Sequence, residues 1–558
     1  MPHDLVIRAG TVADGTGEPT FTADVAIDDG IVVEVGRVGR GAREIDADGA
    51  LVTPGFVDIH THYDGQATWD SRFQPSSAHG VTTVVMGNCG VGFAPCHPAD
   101  HGALIELMEG VEDIPGTVLS EGLPWTWETF AEYLDALEQR PHDLDFATQA
   151  CHVPIRLWVM GQRGADRERA TAAEIEAMGE LAAAAIEAGA LGFSTSRTKN
   201  HKTSTGAFTA SLDAAREELV GIAEAVGATG KGMLQVVADM DDFDDELTTF
   251  HEMMRASGRP LVLSVGQFAP GDGHLHRLEA ISEANEQGMQ MVGVVASRAI
   301  GVTIAIDGSA NPWAASPTFG AVAEQDDFDA LRNADVKRRI LDETEQAGGI
   351  RFPLDRVFPL AEIPDYEPSV DQSVAARAAR EQRTAADVLY DVLLDGPAYY
   401  PVINYWDGNL DEVEKMLTHP HAVPGLGDGG AHVSIISDAS FPTTLLAHWG
   451  RDRRRGDRLD VAWLVSRQTR ATAETVGLLD RGLLVPGHRG DLNVIDFDNL
   501  AVHRPRIVAD LPAGGKRVMQ SADGYVHTFV RGIEVYAGGE ATEELPGRLV
   551  RGAQPAPE

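Results

Sequence analysis

The sequence predicts an α/β protein, a (β/α)8 TIM-like barrel with insertions joined to a small β-sandwich domain formed by both termini. Three observations lead there. First, the middle of the chain alternates short apolar runs with helical stretches, the pattern of βα units and a parallel sheet. Second, eight of those runs are candidate strands: 55–62, 81–86, 145–150, 190–196, 232–238, 260–266, 289–295 and 422–427. Third, the two ends share a different texture, short strands broken by turns, and neither end has enough strands to bury a core alone.

The N-terminal segment opens with the apolar run Leu5-Val6-Ile7. It continues through Asp24-Val25-Ala26-Ile27 into an Asp28-Asp29-Gly30 turn and a further run from Ile31 to Val35, which reads as a hairpin. The C-terminal segment repeats this at 491–496 and at 525–530, ahead of an Arg531-Gly532 turn. The expected division is therefore a composite β domain of 1–53 and 485–558 around a barrel of 54–484. Between strands, 171–188 begins with a Thr-x-x-Glu capping box and ends at Gly189, which predicts a helix. Two insertions stand out, one near 96–130 and one near 298–385; on a barrel such segments are expected over the catalytic face.

A length of 558 residues, 43% of them hydrophobic and 23% charged, describes an ordinary globular protein with a large core. The net charge of −40 excludes nucleic acid and anionic membranes as partners, since both would repel the chain. No stretch is apolar enough to span a bilayer and the N-terminus lacks signal-peptide features, so a cytoplasmic location is expected. Three cysteines cannot build a disulfide framework and fit a reducing compartment.

The segment 51–62, LVTPGFVDIHTH, carries the strongest chemical signal. On a strand, Asp58, His60 and His62 share a face, and the two imidazoles would stand roughly 6.6 Å apart, within reach of one ion. Side chains at the C-terminal ends of barrel strands converge on one site. There, Cys89 follows the second strand in Gly87-Asn88-Cys89-Gly90, and Asp428 follows the eighth in Gly427-Asp428-Gly429-Gly430-Ala431-His432. Two imidazoles, a carboxylate and a thiolate suit zinc, and a carboxylate beside a metal-activated water can take and return its proton. Cys96 and Cys151 are expected to be structural, as is His79, which precedes the second strand.

These motifs resemble the metal-dependent amidohydrolase superfamily, and within it the N-acyl-D-amino-acid deacylase (D-aminoacylase) group. The resemblance rests on DLVIRAGTVADGTGEP, PGFVDIHTHYDG, VVMGNCGVGFAP, GALGFSTS, LGDGGAH and RGLLVPGHRGDLNVIDFD, in that order over essentially the whole chain. It implies that His60 and His62 ligate zinc, that Cys89 helps to hold it and that Asp428 is both ligand and acid/base. The reaction implied is hydrolysis of the C–N bond of a small amide. His152 and Arg156 in ACHVPIR resemble a further motif and are expected to face the substrate, together with Arg197, His201 and His432.

The departures are as informative. Members of this group bring histidines from strands five and six, where this chain reads MLQVVADM and LVLSVGQF, so Gln235, Ser264 or Gln267 would occupy those places. No lysine ends strand four; Lys199 falls in the following loop. One zinc ion is therefore expected in preference to two. Other readings stay open: hydrolysis of a cyclic amide, imide, ester or lactone on the same fold, or a binding protein that has lost catalysis. The expected partner is a small-molecule substrate, with a homo-oligomer left open.

Overall fold

The computed structural model describes residues 2–325 and 327–557. Each expected barrel strand is present: Phe56–Asp58, Val81–Met86, Asp145–Thr148, Phe193–Arg197, Leu234–Ala238, Leu261–Val265, Met291–Val295 and Ala422–Pro424. All neighbouring pairs are parallel. The third strand is interrupted at Gln149. Its first part pairs with the second strand, and its continuation, Ala150–Cys151, pairs with the fourth. The first and last strands meet through a parallel bridge between Thr61 and Gly429. The arrangement is TIM-barrel-like.

Residue choice explains the layers. The second strand, VTTVVM, is buried at every position, as expected of a parallel strand covered on both faces. The helix Ala172–Ala188 begins at the capping box of Thr171 and Glu174 and ends at Gly189, whose φ of 126° suits glycine. It packs Met178, Ala182, Ala185 and Ile186 inward.

The two ends of the chain share one sheet. Leu51–Pro54 bonds edge to edge with Leu492–Ile495, so strands from 3–54 and from 492–541 join in a single nine-stranded ladder. Its hydrogen bonds run through one sheet instead of the two separate sheets expected of a sandwich. The hairpin of Phe21–Asp28 and Ile31–Gly36 turns at Asp29 and Gly30, both at positive φ, the conformation that matches strand twist.

Neither insertion is plain loop. The first supplies the helices His101–Val111 and Gly116–Gly122. The second runs past the expected bound of 385 and has its own core, with Trp313, Ile340, Val388 and Tyr390 fully buried, and a three-stranded sheet of Ile300–Ile304, Phe358–Pro359 and Ala398–Ile403. Buried Glu367 ties it to the body of the protein: the carboxylate lies 3.3 Å from the Arg453 Nε and 3.2 Å from the His448 Nε2, and accepts the Leu410 N–H at 2.9 Å. Burial pushes this carboxyl up, but its bonds with His448, Leu410 and Arg453 outweigh that and bring it down to about 2.

A carboxyl held below its unfolded value stabilises the fold above about pH 4.3 and loses that contribution as pH falls toward 2. Glu367→Gln should therefore melt well below the wild type at pH 7, by the equivalent of about 3 kcal/mol. The gap should narrow progressively below pH 4.5. Thermal melts across pH 7 to 3.5 check this, and a gap that does not change with pH contradicts it.

Candidate active site

The site forms where the first strand leaves its ladder. Thr61 donates its N–H and hydroxyl to the Val85 carbonyl, at 3.1 and 2.8 Å, and the Asn88 side chain donates to the Thr61 carbonyl at 3.1 Å. His62 donates its N–H to the Gly429 carbonyl at 2.8 Å. With Thr61 fastened on both sides, His60 and His62 turn to one side, their ring centroids 5.4 Å apart. The Gly429 backbone comes so close that a Cβ there would stand 2.5 Å from the Ser76 hydroxyl and 2.6 Å from that of Tyr63. Only glycine allows this approach.

The cysteine turn is pegged in the same way. The Cys89 N–H donates to Gln235 Oε1 on the fifth strand at 2.8 Å, and the Gly90 N–H to Ser194 Oγ on the fourth at 3.0 Å. Ligand atoms of His60, His62 and Cys89 all lie within 4.8 Å of one another. Cys89 Sγ is 3.4 Å from His60 Nε2; Asp428 Oδ1 is 3.5 Å from His60 Nε2 and 3.8 Å from His62 Nε2. Ligands held about 2.0–2.3 Å from a tetrahedral zinc are separated by about 3.3–3.8 Å, so these spacings fit one such ion. Cys89, Asp428 and His432 all have positive φ, at 57°, 45° and 45°. Such conformations cost about 1–3 kcal/mol each and persist where the surrounding structure enforces them.

Electrostatics favour a cation as well. Burial, with repulsion from Asp438 and Asp58, raises the Asp428 carboxyl to about 8, and burial raises Asp58 and Asp64 to about 7. Burial and neighbouring carboxylates push Cys89 and Glu112 well above their usual values. Burial also lowers His60 to about 3 and His432 to about 4, which keeps the rings neutral, the form that binds metal. Asp438 is offset by Arg298 at 2.9 Å, but among the described residues Asp428 and Glu112 pair only with histidines, and acids so crowded suit a divalent ion.

A model of the amidohydrolase family matches residues 43–536. The chain belongs to that family. An N-acyl-D-glutamate deacylase of Alcaligenes xylosoxydans xylosoxydans is 28% identical over 98% of this chain and 96% of its own. An N-acyl-D-aspartate deacylase of the same organism is 25% identical over 98% and 95%. Among solved structures, an N-acyl-D-glutamate deacylase from Bordetella bronchiseptica, complexed with zinc and a phosphonate inhibitor, superposes with a TM-score of 0.65. It shares 24% identity, covering 99% of this chain and all of the other.

Other expected site residues fall in two groups. His201 and His432 stay with the centre. His201 bonds Ser196 Oγ at 2.9 Å, and burial and repulsion from His432 and His60 lower it to about 3; His432 lies 4.0 Å from Glu112. His152, Arg156 and Arg197 are each paired with a carboxylate on a neighbouring helix. His152 spends both ring nitrogens on Thr195 and Glu218, at 2.8 and 2.9 Å, and fully buried Arg156 also pairs with Glu218 on the helix Arg216–Ala228. Arg197 forms a two-pronged pair with Glu246, both bonds 2.6 Å. These pairings tie His152, Arg156 and Arg197, expected as substrate contacts, into the packing between barrel and helices.

Of the strand-five and strand-six residues, Gln235 holds the cysteine turn. Ser264 is buried, and Gln267 turns to Asp407 at 3.0 Å. Lys199 pairs with Asp241 at the surface, and His79 is fixed by Thr443 and the Gln520 carbonyl, both as expected. Glu112 was not foreseen. It follows the helix His101–Val111 and is buried 3.2 Å from His62 Nδ1. Its neighbours Glu106 and Glu109 face outward, so the sequence of that helix shows no sign of it.

Because removing Arg156 would leave the buried Glu218 carboxylate with His152 as its remaining partner, Arg156→Ala should destabilise the fold by about 3–5 kcal/mol. KM for any turned-over substrate should stay unchanged. A raised KM in a variant of wild-type stability contradicts this assignment.

Proposed function

We propose that this chain is a zinc-dependent hydrolase that cleaves the C–N bond of an N-acyl amino acid or a similar small amide. The observation that carries the reading is the convergence of ligand atoms of His60, His62 and Cys89 within 4.8 Å of one another, with Asp428 Oδ1 3.5 and 3.8 Å from the two imidazoles. His60 and His62 would hold one ion through Nε2 with Cys89 Sγ as a third ligand, and Asp428 would border the remaining position, which a catalytic zinc leaves to water. When bound, zinc supplies Lewis acidity, polarising a carbonyl and lowering the pKa of water.

The chain's own residues supply the rest. Asp428 Oδ1 takes a proton from the attacking water and returns it to the departing amine nitrogen, a role that needs a carboxylate at the ion and open on one side. Its side chain keeps 17% of its surface exposed, whereas His62 keeps 2%. His201 and His432 flank the centre as neutral hydrogen-bonding groups for the substrate. The first, second and last barrel strands lead into these residues, so 54–484 is assigned as the catalytic domain, and 1–53 with 485–558 as its β companion.

The relatives point to N-acyl-D-amino acids with acidic side chains. A second reading, a neutral linear or cyclic amide, is favoured by one observation: the guanidinium groups of Arg156 and Arg197 are already spent on Glu218 and Glu246. A panel of N-acyl-D- and N-acyl-L-amino acids and cyclic amides separates the two.

Purified protein supplemented with zinc should retain about one equivalent per chain, the occupancy of a single tetrahedral site. Removal of the metal should abolish turnover, and zinc should restore it; retention of only a trace contradicts the reading. Asp428→Asn should lower kcat by about 10²–10⁴-fold with the fold intact. A near-wild-type rate removes Asp428 from its role.

A further inference from the structure

The first insertion reaches the centre at one point. Glu112 ends the helix His101–Val111, and its segment is tied to the loop that carries Asp428: the Glu112 carbonyl accepts the His432 N–H, and Asp113 accepts the Ser434 hydroxyl. This double tie leaves the Glu112 carboxylate buried beside His62, its side chain 2% exposed.

The two nitrogens of His62 face different groups. Nε2 is turned to Asp428 Oδ1, 3.8 Å away. Nδ1 is turned to Glu112 Oε1, 3.2 Å away. Among the described residues neither Nδ1 nor Oε1 has a well-aligned hydrogen bond to any group, so two buried polar atoms are left facing each other. Orphaned atoms of this kind are costly, and a small rotation of the ring would satisfy both. A metal-binding histidine needs its second nitrogen protonated and held, commonly by a carboxylate, to fix the tautomer and the ring plane.

We infer that Glu112 is the positioning residue of His62: it accepts the Nδ1–H, directs Nε2 to the metal, and so makes the 96–130 insertion part of the metal centre. The inference rests on the proposed zinc site and adds a residue to it. Glu112 acts through the imidazole and touches neither ion nor substrate. It also gives the insertion a task beyond covering the barrel mouth, since displacing the insertion would free the ring.

Zinc affinity of the whole protein, measured by competition with a chromophoric chelator, tests the idea without using turnover. Glu112→Ala should weaken zinc about 10–100-fold. Glu112→Gln, whose amide oxygen can still accept the Nδ1–H, should recover most of that loss and leave the melting temperature of the metal-free chain unchanged. With cobalt in place of zinc, the visible spectrum of Glu112→Gln should match that of the wild type, because the ligand set is the same. In 15N-histidine-labelled zinc protein, the Nδ1–H proton resonance of His62 should move upfield in Glu112→Gln, a readout that does not need Glu112→Ala to fold. Wild-type affinity in Glu112→Ala overturns the inference. So does a cobalt spectrum of Glu112→Gln that reports a lost ligand. A wild-type chain that takes up no zinc overturns the metal site itself, which separates the two failures.

Discussion

The seam between the first and last barrel strands governs the rest of the structure. Thr61 is bonded to Val85 on one side and bridged to Gly429 on the other, and His62 donates its N–H to that same glycine. One stretch of backbone therefore fixes two imidazoles and, through the residue beside Gly429, the carboxylate of Asp428. Residues more than 360 positions apart in sequence meet because the sheet leaves the strand ends no other neighbour. The glycine is required, since any side chain at 429 would strike Ser76 and Tyr63 and push the eighth strand's loop away.

Around that seam the protein concentrates features that oppose folding elsewhere. Three residues at the centre have left-handed backbone, and at least five acidic groups are buried within reach of one another's charge. The buried acids are unfavourable in a metal-free chain, and a cation at the centre would offset the charge of those nearest to it. Binding an ion should thus stabilise the folded state as well as equip it for chemistry. The structural charges are handled differently: Glu218, Glu246 and Glu367 each have an arginine partner, whereas Asp428 and Glu112 have only histidines.

How much of this the sequence discloses depends on how local each signal is. Alternate spacing of His60 and His62 after a Pro-Gly turn is a property of one strand, and so is an aspartate in a glycine-rich turn behind an apolar run; both could be read directly. The eight strands, the helix capped by Thr171 and the Asp29-Gly30 hairpin were legible for the same reason. Pairings between distant elements were not. His152 and Arg156 look like pocket residues in ACHVPIR, because nothing near them announces that Glu218, more than sixty residues on, fills the space between. Glu112 was hidden for the converse reason: on a helix with glutamates at 106 and 109 it reads as solvated surface until the insertion folds over His62. The single sheet joining both ends depends on Leu51–Pro54 finding Leu492–Ile495, a pairing that neither segment specifies alone.

Anomalous scattering from crystals of the zinc-loaded protein, recorded on both sides of the zinc absorption edge, tests this picture most directly. One peak should lie between the Nε2 atoms of His60 and His62, in contact with Cys89 Sγ and Asp428 Oδ1. A peak that shares none of these atoms, or zinc held only at the surface, would contradict it.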